Sequence, residues 1–354
     1  MKSSNDRSSL GAGAISLIFF LILAATMAIL ASCGSEESGE ETKTPANLDS
    51  ADETSQEIDE GQTAEPVTIR MAMLPILDAL PMYVADEKGY FEEQNLLVEF
   101  VPVPSASQRD QVIQAGQADG MINELLSTLF YNLDSQEIVV VRNARVATSD
   151  YPQFRILASA DSGITDLDSL KGQEIGISKA TIIEYSTDRL LEAEGFSSEE
   201  INTIAVPGIP DRMALLGSGE LSAANLPDPL SSLAMQGGAV VIVDDSKHPE
   251  YGHSTISFRK EFVDSQPEAV RGFLLAVEKA VEDINADKDQ FSELLSERQL
   301  VPAPLLGSYE IPDFPLAGVP PQSQWDDILE WALSKGYIDA DLAYDDSVDD
   351  SYLP

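Results

Sequence analysis

The chain has 354 residues, with 61 acidic against 21 basic side chains and a formal charge of −40. A surface of that sign repels a phosphate backbone, so nucleic acid is excluded as a partner. One cysteine and two histidines leave no intrachain disulfide, no cysteine-based zinc site and no iron–sulfur cluster held by this chain alone.

Lys2 and Arg7 precede an uncharged run from Ser8 to Ser35, with a strongly apolar centre from Ile15 to Leu30 that ends in Leu30-Ala31-Ser32-Cys33-Gly34. This is the pattern of a secretion signal: basic residues, an apolar stretch, then small residues at a cleavage site. Leu-Ala-Ser-Cys resembles the bacterial lipobox, which predicts cleavage before Cys33 and lipidation of its thiol. An uncleaved anchor is the alternative; either way the rest of the chain is expected outside the cytoplasm. Residues 34–66 carry eleven acids and one lysine, with Leu48 and Ile58 as the only large aliphatics. Such a stretch buries too little apolar surface to offset its ordering entropy and reads as a disordered tether. Residues 67–354 still carry a formal −31, which favours solubility and a small-molecule ligand.

Beyond Pro66, β-rich runs are predicted at 67–74, 96–103, 120–123, 138–142, 155–159, 174–178, 202–206, 239–244 and 255–259. Helical spacing fills most of the gaps, at 81–94, 107–115, 182–194, 212–216 and 229–236. Alternation of this kind predicts an α/β fold with largely parallel sheets. Ser265 and Glu268 have capping-box spacing ahead of a helix whose Val270, Phe273, Leu274, Val277, Val281 and Ile284 form one apolar stripe. Residues 302–321 are proline-rich and not expected to be helical, and a last helix carries Ile328, Leu329 and Trp331.

In open parallel sheets, ligands meet the carboxyl ends of strands, where helix amino termini present free N–H groups. That rule selects Asp78 after the first strand, Ser105 and Ser107 after the second, Asn123 and Glu124 after the third, Ser178, Thr181, Glu184 and Tyr185 after the run at 174–178, and Asp228. For any one Ser, Thr or Asp, plain helix capping competes with ligand binding. Glu124 and Glu184 are not ordinary cap residues, and Tyr185 either stacks on a flat ligand or belongs to the core.

Several longer motifs share this order. They are Val84-Ala-Asp-Glu-Lys-Gly-Tyr-Phe-Glu-Glu-Gln-Asn-Leu96, Ile113-Gln-Ala-Gly-Gln-Ala-Asp-Gly120, Asp166-Leu-Asp-Ser-Leu-Lys-Gly-Gln-Glu-Ile-Gly176, Ala223-Ala-Asn-Leu-Pro-Asp-Pro229 and Gln266-Pro-Glu-Ala-Val270. In this order they resemble the substrate-binding proteins of ABC importers in the nitrate, sulfonate, taurine and thiamine-pyrimidine-precursor group. The resemblance implies a type II periplasmic-binding-protein fold, with two lobes joined by crossover strands near 157–163 and 252–258. Lobe one would comprise 67–158 plus 256–354, and lobe two 159–255. It further implies a monomer without cofactor or catalysis, closing by hinge motion on a small molecule and delivering it to an ABC permease and its ATPase. The location implied is extracytoplasmic and lipid-anchored, on the periplasmic face where an outer membrane exists.

Asp78, Glu124, Glu184 and Asp228 argue against an anion in a dry cleft, so an aminopyrimidine-like or amine ligand is expected ahead of a sulfonate, taurine or nitrate. On that reading Glu184→Gln weakens a cationic ligand. The enzymatic alternative is a pyrimidine-synthase-like activity. Eukaryotic pyrimidine synthases resemble this fold but use a cysteine-rich iron site and a histidine, and His248 and His253 lie outside the candidate loops. A sensor ectodomain is disfavoured, because no kinase, receiver or second membrane span follows. No metal site is expected.

Overall fold

A computed structural model describes residues 65–354. The expected leader, Cys33 and all but the last two residues of the expected tether lie outside the described residues. In chain order the strands are β1 Val67–Met73, β2 Leu96–Pro102, β3 Gly120–Asn123, β4 Ile138–Val146, β5 Phe154–Ala158, β6 Glu174–Ile177, β7 Asn202–Ala205, β8 Ala223–Pro227, β9 Val240–Asp244 and β10 His253–Arg259. The helices are α1 Leu80–Glu87, α2 Tyr90–Glu93, α3 Ala106–Gln114, α4 Leu125–Tyr131, α5 Leu167–Leu170, α6 Ile182–Ala193, α7 Ile209–Ser218, α8 Leu230–Gln236, α9 Lys260–Ser265, α10 Pro267–Ala286, α11 Ser292–Glu297 and α12 Gln322–Ser334.

Two five-stranded sheets form, in the orders β2-β1-β3-β10-β4 and β7-β6-β8-β5-β9. In each, one strand runs against the other four: β10 is antiparallel to β3 and β4, and β5 to β8 and β9. The sheets are therefore mixed, and the reversed strands are those that follow or precede a passage between sheets. The chain leaves the first sheet after β4 and returns through β10, so the crossings lie at 147–153 and 245–252. This corrects the positions expected from sequence. Phe154–Ala158, placed in lobe one by sequence, pairs with β8 and β9 of the second sheet. Strand propensity marks a strand but not its partner, which is why the boundary moved.

Asp245 ties the crossings together by accepting the Gln153 and Phe154 N–H groups at 2.8 and 3.1 Å. A Cβ at Gly252 would sit 1.9 Å from Asp245 Oδ2, so the second crossing needs glycine there. Burial pushes the Asp245 carboxyl up to about 7, against those two N–H bonds.

The expected helix at 81–94 is broken in two, because Gly89 takes a left-handed φ of 74° that ends α1 and starts α2. The expected capping box at Ser265 is absent. Ser265 is the last residue of α9 and donates back to the Glu261 carbonyl at 2.8 Å, while Gln266 precedes α10. The stripe of α10 is buried as its period requires, from Val270 to Ile284, and packs with α1, α2 and β10 in the largest core cluster. A second cluster lies under β5, β6 and α6; a third joins α4 to α12. Among the described residues no helix is long and apolar enough to cross a membrane.

Candidate functional site

The carboxyl ends of β1, β3, β6 and β8 converge on one cavity between the sheets, with about 620 Å³ of atom-free space counting its open mouth. Its walls are mostly apolar: Leu74, Ile76, Ile122, Phe154, Ile182, Ile183 and Ile209, with Pro207 and Pro227. Polar groups enter at the strand ends. Asp78 follows β1, Asn123 and Glu124 end β3, Ser178 and Thr181 link β6 to α6, and Asp228 follows β8.

Six of the ten ligand-binding residues expected from sequence therefore meet here; four do not. Ser105 caps α3 through the Gln108 N–H at 3.3 Å, and Ser107 is exposed. The cavity is lined instead by Ala106 between them. Glu184 is buried and accepts the Ala180 N–H and the Tyr337 hydroxyl, each at 2.7 Å, away from the cavity lining. Tyr185 is a core residue: fully buried, it donates to Asp327 at 2.5 Å and meets Trp331 edge-on. Glu124 is a cap after all, since its carboxylate accepts the Ser127 N–H at 2.6 Å as α4 begins. Thr181 likewise caps α6 through the Ile183 N–H.

The carboxylates do not stand alone. Arg109 reaches Glu124 at 3.4 Å and Asp110 at 2.8 Å. Burial pushes the Glu124 carboxyl up, with Arg109 opposing. Arg145 lies 3.6 Å from Asp78 and 3.5 Å from Asp228, and Arg155 is 3.1 Å from Asp228. Burial works against the Asp228 charge, but Arg145 and Arg155 outweigh it and hold the carboxyl below its usual range. Asp78 also accepts Ser254 Oγ at 2.5 Å and Gln153 Nε2 at 3.1 Å. Asn123 is held by Thr255 and Ser257 of β10, which donate to its Oδ1 at 2.8 and 2.6 Å.

Two lining residues differ from all of these. Arg212 on α7 is fully buried, with Nε and Nη1 donating to the Asn225 and Val206 carbonyls at 2.7 Å. Among the described residues its Nη2 has no partner and no carboxylate pairs with it, and burial lowers it to about 10. His253, the first residue of β10, is also fully buried, and among the described residues neither ring nitrogen has a partner. Burial lowers it to about 4, so its ring is neutral at pH 7. Sequence reasoning missed Arg109, Arg145, Arg212 and His253. A signal existed for Arg145, since a charge inside the apolar run Ile138–Val146 needs a buried counter-charge. His253 was passed over because β10 runs backwards, which brings its amino end to the edge where parallel strands end.

The model of the family described as NMT1/THI5 like matches residues 77–290. The chain belongs to the NMT1/THI5-like family. Relatives of this member include a 4-amino-5-hydroxymethyl-2-methylpyrimidine phosphate synthase of Saccharomyces cerevisiae, 25% identical over 237 residues that cover 64% of this chain and 68% of the yeast protein. A putative aliphatic sulfonates-binding protein of Bacillus subtilis is 25% identical over 226 residues, covering 61% and 66%. Among solved structures, the alkanesulfonate-binding protein of Xanthomonas axonopodis pv. citri bound to MOPS superposes with a TM-score of 0.68 at 17% identity, covering 80% of this chain and 99% of that one. That likeness shows the fold: this family member has the architecture of periplasmic binding proteins. Among the described residues no cluster of His, Cys, Asp and Glu could hold a metal ion.

Proposed function

We propose that this chain is the solute-binding component of an ABC importer, lipidated at Cys33 and held outside the cell membrane. It closes two lobes on a small organic molecule and delivers it unaltered to a permease driven by its ATPase. The observation that carries this reading is the cavity itself, to which the strand ends of both sheets contribute residues. A solute touching both sets of groups favours the closed arrangement by its differential affinity for it.

The ligand order expected from sequence is reversed. It rested on four carboxylates, of which Asp78, Glu124 and Asp228 are matched by arginines and Glu184 lies off the cavity lining. Among the described cavity-lining residues the unmatched charge is Arg212, and a buried guanidinium without counter-charge is costly until an acceptor reaches it. A sulfonate satisfies it with an anionic oxygen while an alkyl body fills the apolar walls. The aminopyrimidine reading stands second, supported by the neutral ring of His253, which can exchange donor and acceptor roles with an uncharged heterocycle. A simple amine has no free carboxylate to meet.

Turnover is not part of the reading. His253 makes no hydrogen bond that would orient it toward a nucleophile, unlike the base of a nucleophilic pair. The test is thermal unfolding of the detergent-extracted full-length protein with aliphatic sulfonates, nitrate, 4-amino-5-hydroxymethyl-2-methylpyrimidine and amines, followed by mass analysis of the recovered solute. Saturable stabilisation by a sulfonate recovered unchanged is expected, about 2.7 kcal/mol at a hundredfold excess over Kd. A chemically altered solute overturns the reading, as does stabilisation by amines alone.

A further inference from the structure

The family match ends at residue 290, and the chain beyond it includes α12, which touches α4 and α6, two helices that start beside the cavity. Toward the first sheet, Trp325, Ile328, Leu329 and Ala332 of α12 share a buried cluster with Leu125, Leu126 and Leu129 of α4. Toward the second sheet, Tyr185 of α6 enters the same cluster edge-on to Trp331, and the segment holds α6 by polar bonds as well. Asp327 accepts the Tyr185 hydroxyl at 2.5 Å and Arg189 Nε at 3.0 Å. Asp188 accepts Trp331 Nε1 at 2.9 Å and pairs with Lys335 at 2.6 Å. Tyr337 donates to Glu184 at 2.7 Å.

Both helices begin at the cavity. Glu124 caps α4, Thr181 caps α6, and Ile182 and Ile183 of the first turn of α6 are part of the wall. Glu184, one residue further on, faces the strap formed by residues 322–337. The groups that grip α6 therefore sit within about two turns of the groups that face a solute.

We propose that residues 322–337 form a strap that sets the separation of the α4 and α6 amino termini, so that strap engagement and cleft closure are one equilibrium. Asp327 and Tyr337 are positioning residues: they touch no cavity atom and act through α6. Opening the lobes must either strip the strap from α6 or drag it off α4; three α4 leucines but only Tyr185 of α6 are buried in the shared cluster, and the remaining bonds to α6 are polar ones that can re-form with water. Tyr185 and Asp188, buried on the second lobe, are then the receiving face of the latch.

The molecule carries its own reporter, because its two tryptophans, Trp325 and Trp331, are both on α12. The test needs no ligand. Hydrogen exchange and tryptophan emission are measured on full-length protein in detergent, for wild type, Asp327→Asn and Tyr337→Phe. The second variant removes one hydroxyl and keeps the ring packed against Phe130 and Trp331. Exchange over 178–186 and 123–129 is expected to rise about tenfold, the effect of losing one charge-assisted bond on a local opening. Emission should shift to the red, while β7 and α10 exchange at wild-type rates. Faster exchange confined to 322–337 and the distal turns of α6 overturns the proposal. So does an equal rise throughout the protein, which is general destabilisation, and so does no change at all.

Discussion

Arg145 Nη2 lies 3.5 Å from Asp228 Oδ2, and this pair joins the two sheets. Arg145 is near the end of β4 in the first sheet and Asp228 follows β8 in the second; both are buried. Tyr309 also donates to Asp228, and Asp78 flanks Arg145 on its other side. The pair thus neutralises carboxylates that would otherwise repel an anion, and does so where the two sheets meet.

Replacing Arg145 by leucine leaves Asp78 without its ion-pair partner and Asp228 with Arg155 alone. Denaturant unfolding should show a loss of about 3 kcal/mol, the usual consequence of stripping one partner from a buried charge network. Sulfonate binding should weaken as well, because uncompensated negative charge is then left beside the cavity. A variant as stable as wild type contradicts this account of the network.

Arg212→Gln tests the anion contact proposed for this residue. Titration calorimetry with the best sulfonate should show affinity reduced by about tenfold to a hundredfold, since a charge-assisted hydrogen bond is replaced by a neutral one. Binding of an uncharged aminopyrimidine should change much less. Equal losses for both would move the anion site elsewhere.

Glu184→Gln distinguishes cationic from anionic ligands only if the Glu184 carboxylate faces the cleft. With its carboxylate bonded to the Ala180 N–H and the Tyr337 hydroxyl, the variant should keep the wild-type ligand order. It should lose about 1 kcal/mol of stability through weaker bonds to those partners. A reversal of ligand order in the variant would return Glu184 to the cleft.

The pH dependence of stability should carry a signature of His253. Its folded value is lowered to about 4, whereas an unfolded histidine titrates near 6.5. Between those values the unfolded chain binds the extra proton, so the histidine's contribution is present above about pH 6.5 and fades as pH falls toward 4. Relative to His253→Gln, wild type should therefore lose on the order of 2–3 kcal/mol over that window. Asp245, raised to about 7, acts in the opposite sense, its contribution fading as pH rises toward 7. The difference between wild type and His253→Gln isolates the histidine, and a difference that does not vary with pH would mean the ring is already solvated in the folded state.

Much of the architecture was readable because it follows from short-range periodicity. The stripe on α10 is buried at every predicted position, and the nine predicted strands lie within a few residues of observed ones. The rule that ligands meet strand carboxyl ends brought Asp78, Asn123, Glu124, Ser178, Thr181 and Asp228 to one cavity. It failed where the chain direction changes. His253 reaches the same edge from the start of a reversed strand, and Arg212 arrives from the body of α7.

The sequence by itself determined the fold class, the order of elements and the family, since hydrophobic period and turn residues act over a few neighbours. Only the tertiary structure decided which strands carry the chain between sheets, which acids meet an arginine, and which of the described cavity-lining cations has no counter-charge. Those outcomes depend on contacts between residues far apart in the chain, as Arg145 and Asp228 are, and a charge's effect on a ligand is set by the partner it has already found.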